Sequence, residues 1–270
     1  MADHDEHKHG LEFDLERLAN QLYGRRGVLA LFGGGAAALA ASTALGADAL
    51  CVADAPETNG PFPGDGSNHA PGGTSNILTE SGVVRSDIRS SFGTSTNTAK
   101  GVPLTLKVKI ADSNKACAPL PGYLIYVWHC TQDGLYSLYT APDENYLRGV
   151  QRADANGDVT FTTIFPGCYP GRWPHIHFEI YPSLAAATDH DNAVLTSQFA
   201  MPSEACSAVY SAGTGYEDSV DAFAGISIRG DNVFRDNSVD EMTMMTPTLS
   251  GSAAVGYVAE VTVVLAAQST

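Results

Sequence analysis

Basic residues are scarce in this sequence, and that scarcity limits its partners. Only 15 Lys and Arg stand against 30 Asp and Glu in 270 residues, which gives a formal net charge of −15. A charge of this sign disfavours nucleic acids and anionic membrane surfaces as partners. The sequence also lacks a C-x-x-C zinc pair, a glycine-rich phosphate loop and an internal repeat. Charged residues make up 17% and apolar residues 44% of the chain, so we expect a packed core rather than disorder.

No apolar run near the N-terminus is long enough to predict a membrane span, since the run over 30–45 is short and rich in Gly and Ala. Arg25 and Arg26 precede it, and small residues follow over 41–49. Paired arginines before a mildly apolar segment are typical of a twin-arginine export signal. We therefore predict that residues 1–49 are a leader and that the protein is exported to the cell envelope or the extracellular space. An uncleaved anchor remains open as an alternative.

No long amphipathic helix follows the leader, and strand patterns dominate instead. Residues 50–99 are rich in Pro, Gly, Ser and Asn, which predicts an extended segment. Alternation over 103–110 predicts a half-buried strand, and a run over 123–129 that is apolar on both faces predicts a central strand. Residues 100–270 are therefore predicted to form an all-β domain, a two-sheet β-sandwich with long connecting loops and at most one or two short helices. Shorter predicted elements are a helix over 203–213 and strands over 226–229 and 232–234.

Two histidines lie two residues apart on a predicted strand. His175 and His177 flank Ile176 in an alternating pattern, so both imidazoles share one face with Glu179. Two imidazoles in that arrangement can reach a single metal ion. On its own, an H-x-H pair is more often a pair of polar residues on the solvent face of an edge strand.

Two tyrosine-bearing loops strengthen the case for a metal. Tyr136 ends a D-G-x-Y turn after the central strand, and Tyr169 lies in a loop dense in Pro and Gly that also carries Arg172. Loops with so many backbone constraints are rigid and suit reacting groups. Phenolate is a hard anionic oxygen donor and imidazole is borderline. Two of each therefore fit a hard trivalent cation such as ferric iron better than zinc or copper(I).

The order of these motifs carries a resemblance to a known family. After the turn that ends at Tyr136, the chain presents Leu147-Arg148-Gly149, Asp154-x-x-Gly157, Thr163-Ile164-x-Pro166-Gly167-x-Tyr169 and Arg172-x-x-His175-Ile176-His177-Phe178. Together they resemble the intradiol ring-cleavage dioxygenases, which include the catechol and protocatechuate dioxygenases. The similarity covers about residues 100–200 well and extends more loosely from Glu57 to the C-terminus.

The resemblance implies a reaction and a cofactor. The family inserts both atoms of O2 into a small catechol and gives a muconate-type diacid, and it holds ferric iron, Fe(3+), between the loops of a β-sandwich. Carried over residue by residue, the implied iron ligands are Tyr136, Tyr169, His175 and His177. Tyr169 is also implied to leave the metal and to act as a base.

Further side chains are implied by the same resemblance. Arg172 matches the active-site arginine whose cation stabilises the electron-rich ring, and a surface ion pair is its alternative. Gln198 lies where the family places a polar partner for the later rearrangement. Arg148 belongs to one of the motifs, and we interpret it as structural rather than catalytic. The segment 58–63 resembles one that lines the mouth of the active site, with a surface linker as the alternative.

Other interpretations remain open at this point. Because Glu179 shares the histidine face, a ferrous extradiol site of two His and one carboxylate fits the spacing as well. A secreted β-sandwich that uses the motif only for binding is another alternative. The connection from Tyr169 to His175 is short and the N-terminal dimerisation helices of the catechol enzymes are absent, so the catechol and a homodimer stay undecided. The rival tyrosines are Tyr123, Tyr126, Tyr139 and Tyr146.

Five cysteines are compatible with disulfides in an exported protein. A bridge between Cys130 and Cys168 would join the two tyrosine loops, and we take it as the first expectation. Cys117 with Cys206 is the second, which leaves Cys51 unpaired. The sequence alone does not fix the connectivity.

Overall fold

A computed structural model of the protein describes residues 51–212 and 214–266. The predicted leader over 1–49, with its arginine pair, lies outside these residues. Within them, no helix is both long and apolar enough to cross a membrane.

Two sheets organise the described part of the chain. Their strands are, in chain order, β1 (Pro103–Asp112), β2 (Ala118–Pro119), β3 (Leu124–Trp128), β4 (Arg148–Arg152), β5 (Asp158–Ile164), β6 (His175–Tyr181), β7 (Leu195–Ala200), β8 (Thr248–Ser252) and β9 (Gly256–Leu265). The first sheet has the order β2-β1-β9-β8, with β5 also paired with β1, and the second has the order β4-β3-β6-β7. Neighbouring strands are antiparallel except β1 and β9, which run parallel. The predicted all-β, two-sheet architecture is confirmed.

Alternating apolar side chains fill the space between the sheets. Leu104, Leu106 and Val108 of β1 lie in one buried cluster with Ile176 and Phe178 of β6. The alternation predicted over 103–110 is therefore confirmed, as is the central position of β3, whose residues are all buried between β4 and β6. Because one face of β6 is committed to this core, its histidines point to the opposite face of the second sheet.

The segment that precedes β1 covers that opposite face. Ile77, Leu78 and Val83 share a buried cluster with Tyr126 and Trp128 of β3. A short 3-10 helix, Ile77–Thr79, lies within the segment. The histidine face is therefore enclosed by protein. The apolar side chains around it are shielded from water.

Three short α-helices lie within the described residues, one more than the upper limit predicted: α1 (Ser203–Ala212), α2 (Glu217–Ala224) and α3 (Val239–Met245). α3 begins with a capping box, in which Ser238 Oγ accepts from the Glu241 N–H and the Glu241 carboxylate accepts from the Ser238 N–H. That S-x-x-E signal was present in the sequence.

The strands predicted over 226–229 and 232–234 are wrong. These residues form turns and irregular backbone. Asp231 organises the second turn, because its carboxylate accepts from the N–H groups of Val233 and Phe234 and so satisfies backbone donors that a strand would pair.

Both predicted disulfides are wrong, although the protein does have a disulfide. Cys51 is bonded to Cys117, while Cys130, Cys168 and Cys206 are free and buried. The reason lies three residues after Cys51. The Asp54 N–H donates to Val264 O at 2.9 Å and the Val264 N–H donates to Asp54 Oδ2 at 2.6 Å. These bonds hold the start of the described chain at the end of β9, beside the end of β1 and the turn that carries Cys117.

Candidate metal centre

β6 places both histidines inside the second sheet. His177 is paired with Trp128 on β3 and with Gln198 on β7, so β6 is not an edge strand. The two imidazoles, of His175 and His177, are each 2% exposed. The interpretation of the H-x-H pair as solvent-facing polar residues is therefore wrong.

Close backbone packing joins the two tyrosine loops. Gly167 lies so near Gln132 that a Cβ atom on it would be 2.5 Å from the Gln132 carbonyl oxygen. Gly134 has a φ of +80°, and a Cβ atom there would lie 3.2 Å from Cβ of Tyr169. The absence of side chains at these glycines lets the loops carrying Tyr136 and Tyr169 touch without a disulfide between them.

Four donor atoms converge above the second sheet. Tyr136 Oη lies 3.4 Å from Tyr169 Oη and 3.3 Å from Nε2 of His175. Tyr169 Oη lies 3.2 Å from the same Nε2. Nε2 of His175 lies 3.0 Å from Nε2 of His177. The structure therefore brings together all four residues that the resemblance implied as ligands.

The tautomer of His175 follows from its surroundings. Its Nδ1 lies 2.5 Å from the carbonyl oxygen of Trp173, which can only accept, so Nδ1 carries the proton and Nε2 offers a lone pair to the cluster. This is the usual support of a metal-binding imidazole. Nδ1 of His177 is buried without a hydrogen-bond partner among the described residues. Its ring is held instead by stacking on Trp128, with centroids 4.8 Å apart.

Burial favours the neutral form of every group in this cluster. It lowers the pKa of His175 to about 3 and that of His177 well below its usual value. It also raises the pKa of Tyr169 to about 12 and that of Tyr136 well above 10. Anionic phenolates would therefore form here only beside a compensating cation, which is what a bound metal ion supplies.

The donor set fits a ferric ion. Atoms that each lie about 2.0–2.2 Å from one ion are separated by roughly 3–3.5 Å, and the four measured separations fall in that range. Two phenol oxygens and two imidazole nitrogens, buried and pointed at one another, match the mixed hard and borderline ligands of trivalent iron. Tyr136, Tyr169, His175 and His177 are thus the residues that could hold it.

Arg172 and Gln198 lie next to the cluster and contact each other. Nη2 of Arg172 donates to Gln198 Oε1 at 2.6 Å, and Gln198 Nε2 donates to the backbone oxygen of Thr58 at 2.8 Å. Gly60 packs against the centre, since a Cβ atom on it would lie 3.2 Å from Cε1 of His177. The segment 58–63 is therefore part of the wall of this site rather than a surface linker.

Asp231 was not found from the sequence. Its Oδ2 accepts from Nε of Arg172 at 2.9 Å, which gives Arg172 an ion pair, although with a buried carboxylate rather than a surface one. The only local signal is the Gly230-Asp231-Asn232 turn, which predicts a turn and no chemistry. Arg148 is also buried and belongs to the support of the site, where its guanidinium donates to Ser137 Oγ in the Tyr136 turn at 2.9 Å.

The rival groups have other partners. Tyr139 Oη donates to Asn68 Oδ1 at 2.6 Å, and Tyr126 Oη donates to the Pro63 carbonyl at 2.7 Å. Glu179 accepts from Tyr181 Oη at 2.7 Å, and burial raises the pKa of Glu179 to about 8. The remaining rival tyrosines pack against apolar clusters: Tyr123 and Tyr146.

A second cluster of metal-binding side chains lies on the surface. Asp189, His190 and Asp191 place one ligand atom each within 4.8 Å of one another. Asp189 and Asp191 are exposed, and such surface groups are solvated without an ion. A variant in this exposed cluster is therefore a suitable control for variants in the buried centre.

Comparison with known proteins places the buried centre inside a recognised family segment. Residues 85–190, which contain all four donors, match the family model Dioxygenase_C, described as dioxygenase. Over 91 residues the chain is 33% identical to hydroxyquinol 1,2-dioxygenase of Corynebacterium glutamicum. That alignment covers 27% of this chain and 30% of the relative, so less than a third of the relative's length is matched.

The fold is shared with a solved structure over a longer stretch. The intradiol ring-cleavage dioxygenase from Tetranychus urticae superposes with a TM-score of 0.61 at 20% identity, covering 82% of this chain and 98% of that one. At this identity the likeness concerns the fold. The resemblance inferred from the sequence motifs is confirmed.

Proposed function

We propose that this protein, whose residues 85–190 match the dioxygenase family model, is an intradiol ring-cleavage dioxygenase that cleaves a catechol with O2 to a muconate-type diacid. The observation that carries the proposal is the convergence of two phenol oxygens and two imidazole nitrogens, each within 3.0–3.4 Å of a neighbouring donor. A module that only binds or adheres has no need of this buried donor set.

Tyr136, Tyr169, His175 and His177 are the proposed ligands of a ferric ion. Bound there, ferric iron would make a catecholate reactive toward O2 without an external reductant. Among the four residues, Tyr136 is 1% exposed, whereas Tyr169 is only partly buried and lies on the side of Arg172. We therefore assign to Tyr169 Oη the role of base that takes a proton from an incoming catechol hydroxyl.

Arg172 supplies positive charge beside the substrate. Its guanidinium lies between Asp231 and Gln198, and its side chain is 13% exposed. A cation fixed in a largely dry site stabilises negative charge that develops on the ring during oxygen attack far better than one in water. Gln198 has both amide atoms engaged, one by Arg172 and one by Thr58, so its proposed part in the later rearrangement acts through Arg172.

The test is oxygen uptake by the iron-loaded protein with catechol, protocatechuate, hydroxyquinol and lignin-derived catechols. We expect consumption of at least one of them and a burgundy-red colour from tyrosinate-to-ferric charge transfer. Tyr136→Phe should lose most of the colour and the activity, because one phenolate ligand is removed. Tyr139→Phe is the matched control, since Tyr139 bonds Asn68 instead, and it should retain both.

The outcomes separate the alternatives. A colourless protein that is active only with ferrous iron would support the extradiol interpretation. A protein that binds no iron would support a binding module. Oxygen consumption with none of the catechols would contradict the proposal.

Export by the twin-arginine route is proposed on the sequence pattern at Arg25 and Arg26. The Cys51–Cys117 disulfide supports it, because disulfides persist mainly in oxidising compartments. Replacing both arginines by lysine should retain the protein in the cytoplasm, as measured by cell fractionation. An unchanged distribution would count against this route.

A further inference from the structure

We propose that Asp231 is a positioning residue that fixes the guanidinium of Arg172 for ring cleavage. The inference rests on the proposed function and adds a residue from outside the matched family segment. Asp231 is 0% exposed and lies 59 residues from Arg172 in the chain. Its Oδ2 accepts from Nε of Arg172 at 2.9 Å and from the Trp173 N–H at 2.6 Å. One oxygen thus holds both the arginine side chain and the backbone that follows it.

The other oxygen of Asp231 anchors the carboxylate in its own turn. Oδ1 accepts from the N–H of Val233 at 2.7 Å and from that of Phe234 at 3.1 Å. Burial alone would raise the pKa of Asp231, but the Trp173 N–H and the charge of Arg172 outweigh it and lower that pKa. The carboxylate is therefore an anion that hydrogen bonds to both of its oxygens hold in one orientation, rather than a mobile counterion.

Arg172 is held on three sides as a result. Asp231 bonds Nε, Gln198 bonds Nη2 at 2.6 Å, and the ring of Phe234 lies 5.9 Å from the guanidinium carbon. Nη1 is the nitrogen for which the described residues include no hydrogen-bond partner. Two bonds at different nitrogens fix both the position and the plane of the guanidinium, because it is rigid and planar.

This clamp matters because of where Arg172 lies. It is in the short loop between Tyr169 and His175, two of the proposed iron ligands. A free arginine samples many rotamers, and holding one in place before substrate arrives removes that entropic cost from the reaction. Since a misplacement of about 1 Å can cost roughly a hundredfold in rate, the loss of one of two fixing bonds should be visible in kcat.

The first measurement uses Asp231→Asn in the iron-loaded full chain, which keeps the shape and removes the charge. With the catechol that the wild type consumes fastest, we expect kcat to fall about ten- to a hundredfold, while KM changes by less than about threefold. Asp236→Asn is the matched control: it removes the same charge from an exposed position in the same loop and should leave kcat unchanged. The visible charge-transfer band and the melting temperature report whether the iron site and the fold remain.

A double-mutant cycle decides whether Asp231 acts through Arg172. In an Arg172→Ala background, adding Asp231→Asn should change kcat by less than about twofold, because the group that Asp231 positions is gone. Arg172→Lys keeps the cation but replaces the rigid two-nitrogen contact by a single ammonium on a flexible stem, so its kcat should fall about as much as that of Asp231→Asn.

Three results would overturn the inference. An equal loss of kcat from Asp231→Asn with and without Arg172 would show that Asp231 does not act through the guanidinium. Loss of the visible band in Asp231→Asn would assign Asp231 to building the iron site instead. Absence of activity in the wild type with every catechol would overturn the proposed function and this inference with it, and that outcome is distinct from the first two.

Discussion

Nε2 of His175 and Nε2 of His177 face each other at 3.0 Å, and both side chains are buried. The Nδ1 proton of His175 is committed to the Trp173 carbonyl, so its Nε2 brings only a lone pair to this contact. Tyr136 Oη also lies within 3.3 Å of that nitrogen. Basic atoms held this close in a buried place are stabilised by a common cation, and this relationship leads to the first prediction.

Replacing His177 by alanine should abolish stable iron binding. The change removes one of four convergent donors and leaves the cavity filled by water, so we expect the iron affinity to fall by more than about a hundredfold. Iron content after dialysis, measured by atomic emission, tests this. His190→Ala removes an imidazole from the exposed cluster and should leave the iron content unchanged. Equal loss of iron in both variants would contradict the location of the site.

Replacing Arg148 by lysine should destabilise the fold. The Arg148 guanidinium donates to the carbonyls of Phe62, Pro63 and Ser137 at 2.6–2.9 Å, and it is 1% exposed. A lysine ammonium cannot reach all of them, and the carbonyls left without a partner make the free energy of unfolding about 2–4 kcal/mol lower. Urea denaturation measures this. Arg152→Lys, at the exposed end of β4, is the control and should change that free energy by less than about 0.5 kcal/mol.

Removing the disulfide should also lower the free energy of unfolding. Cys51 and Cys117 are 66 residues apart, and closing a loop of that length contributes about 4 kcal/mol in the chain-entropy treatment. The double variant Cys51→Ser with Cys117→Ser should therefore unfold at lower urea concentration than the wild type. A reductant should shift the wild type toward the variant and leave the variant unchanged. A wild type that unfolds at the same urea concentration with and without the reductant would contradict the expectation.

The stability of the protein should fall as the pH rises from about 4 to about 7, in part because of Asp54. Burial raises the pKa of Asp54 from 3.8 to about 7, and its Oδ1 has no hydrogen-bond partner within the described part of the chain. A carboxyl whose pKa is raised on folding is favoured in its neutral form, so ionisation opposes folding. The destabilisation is absent below the unfolded pKa, grows between the two pKa values and is constant above about 7.

Asp54→Asn tests this dependence. The free energy of unfolding of the variant should exceed that of the wild type by an amount that grows across this pH interval and reaches about 4 kcal/mol. Urea denaturation at a series of pH values measures the difference. Asp158→Asn, at an exposed carboxylate, should leave the pH profile of the wild type unchanged. A constant difference between Asp54→Asn and the wild type at all pH values would contradict the prediction.

Local sequence was sufficient for the strand that carries the histidines. The alternation around Ile176 sets which side chains share a face, and that depends only on the geometry of one strand. The meeting of Tyr136 with Tyr169 was expected from the family motifs, and the structure shows its local basis in Gly134 and Gly167, where a side chain would block the approach. Whether the four donors bind iron stays a prediction.

Long-range contacts could not be predicted from the sequence. Asp231 meets Arg172 across 59 residues, and no pattern at either position specifies the other. The disulfide was assigned wrongly for a similar reason, because Cys51 is placed by a bond between Asp54 and Val264 across 210 residues. Pairings of this kind are decided by tertiary packing, which a turn motif or a cysteine spacing does not encode.

The parallel pairing of β1 with β9 has a consequence for biosynthesis. Residues 103–112 cannot complete their sheet without residues 256–265, so the first sheet closes only after residue 265 has left the ribosome. The second sheet, by contrast, is assembled from residues 124–200, and all four candidate iron ligands lie within that range. A nascent chain can therefore gather its donor atoms well before the sandwich is sealed, and premature termination inside β9 would leave a half-built protein with its apolar interior open to water.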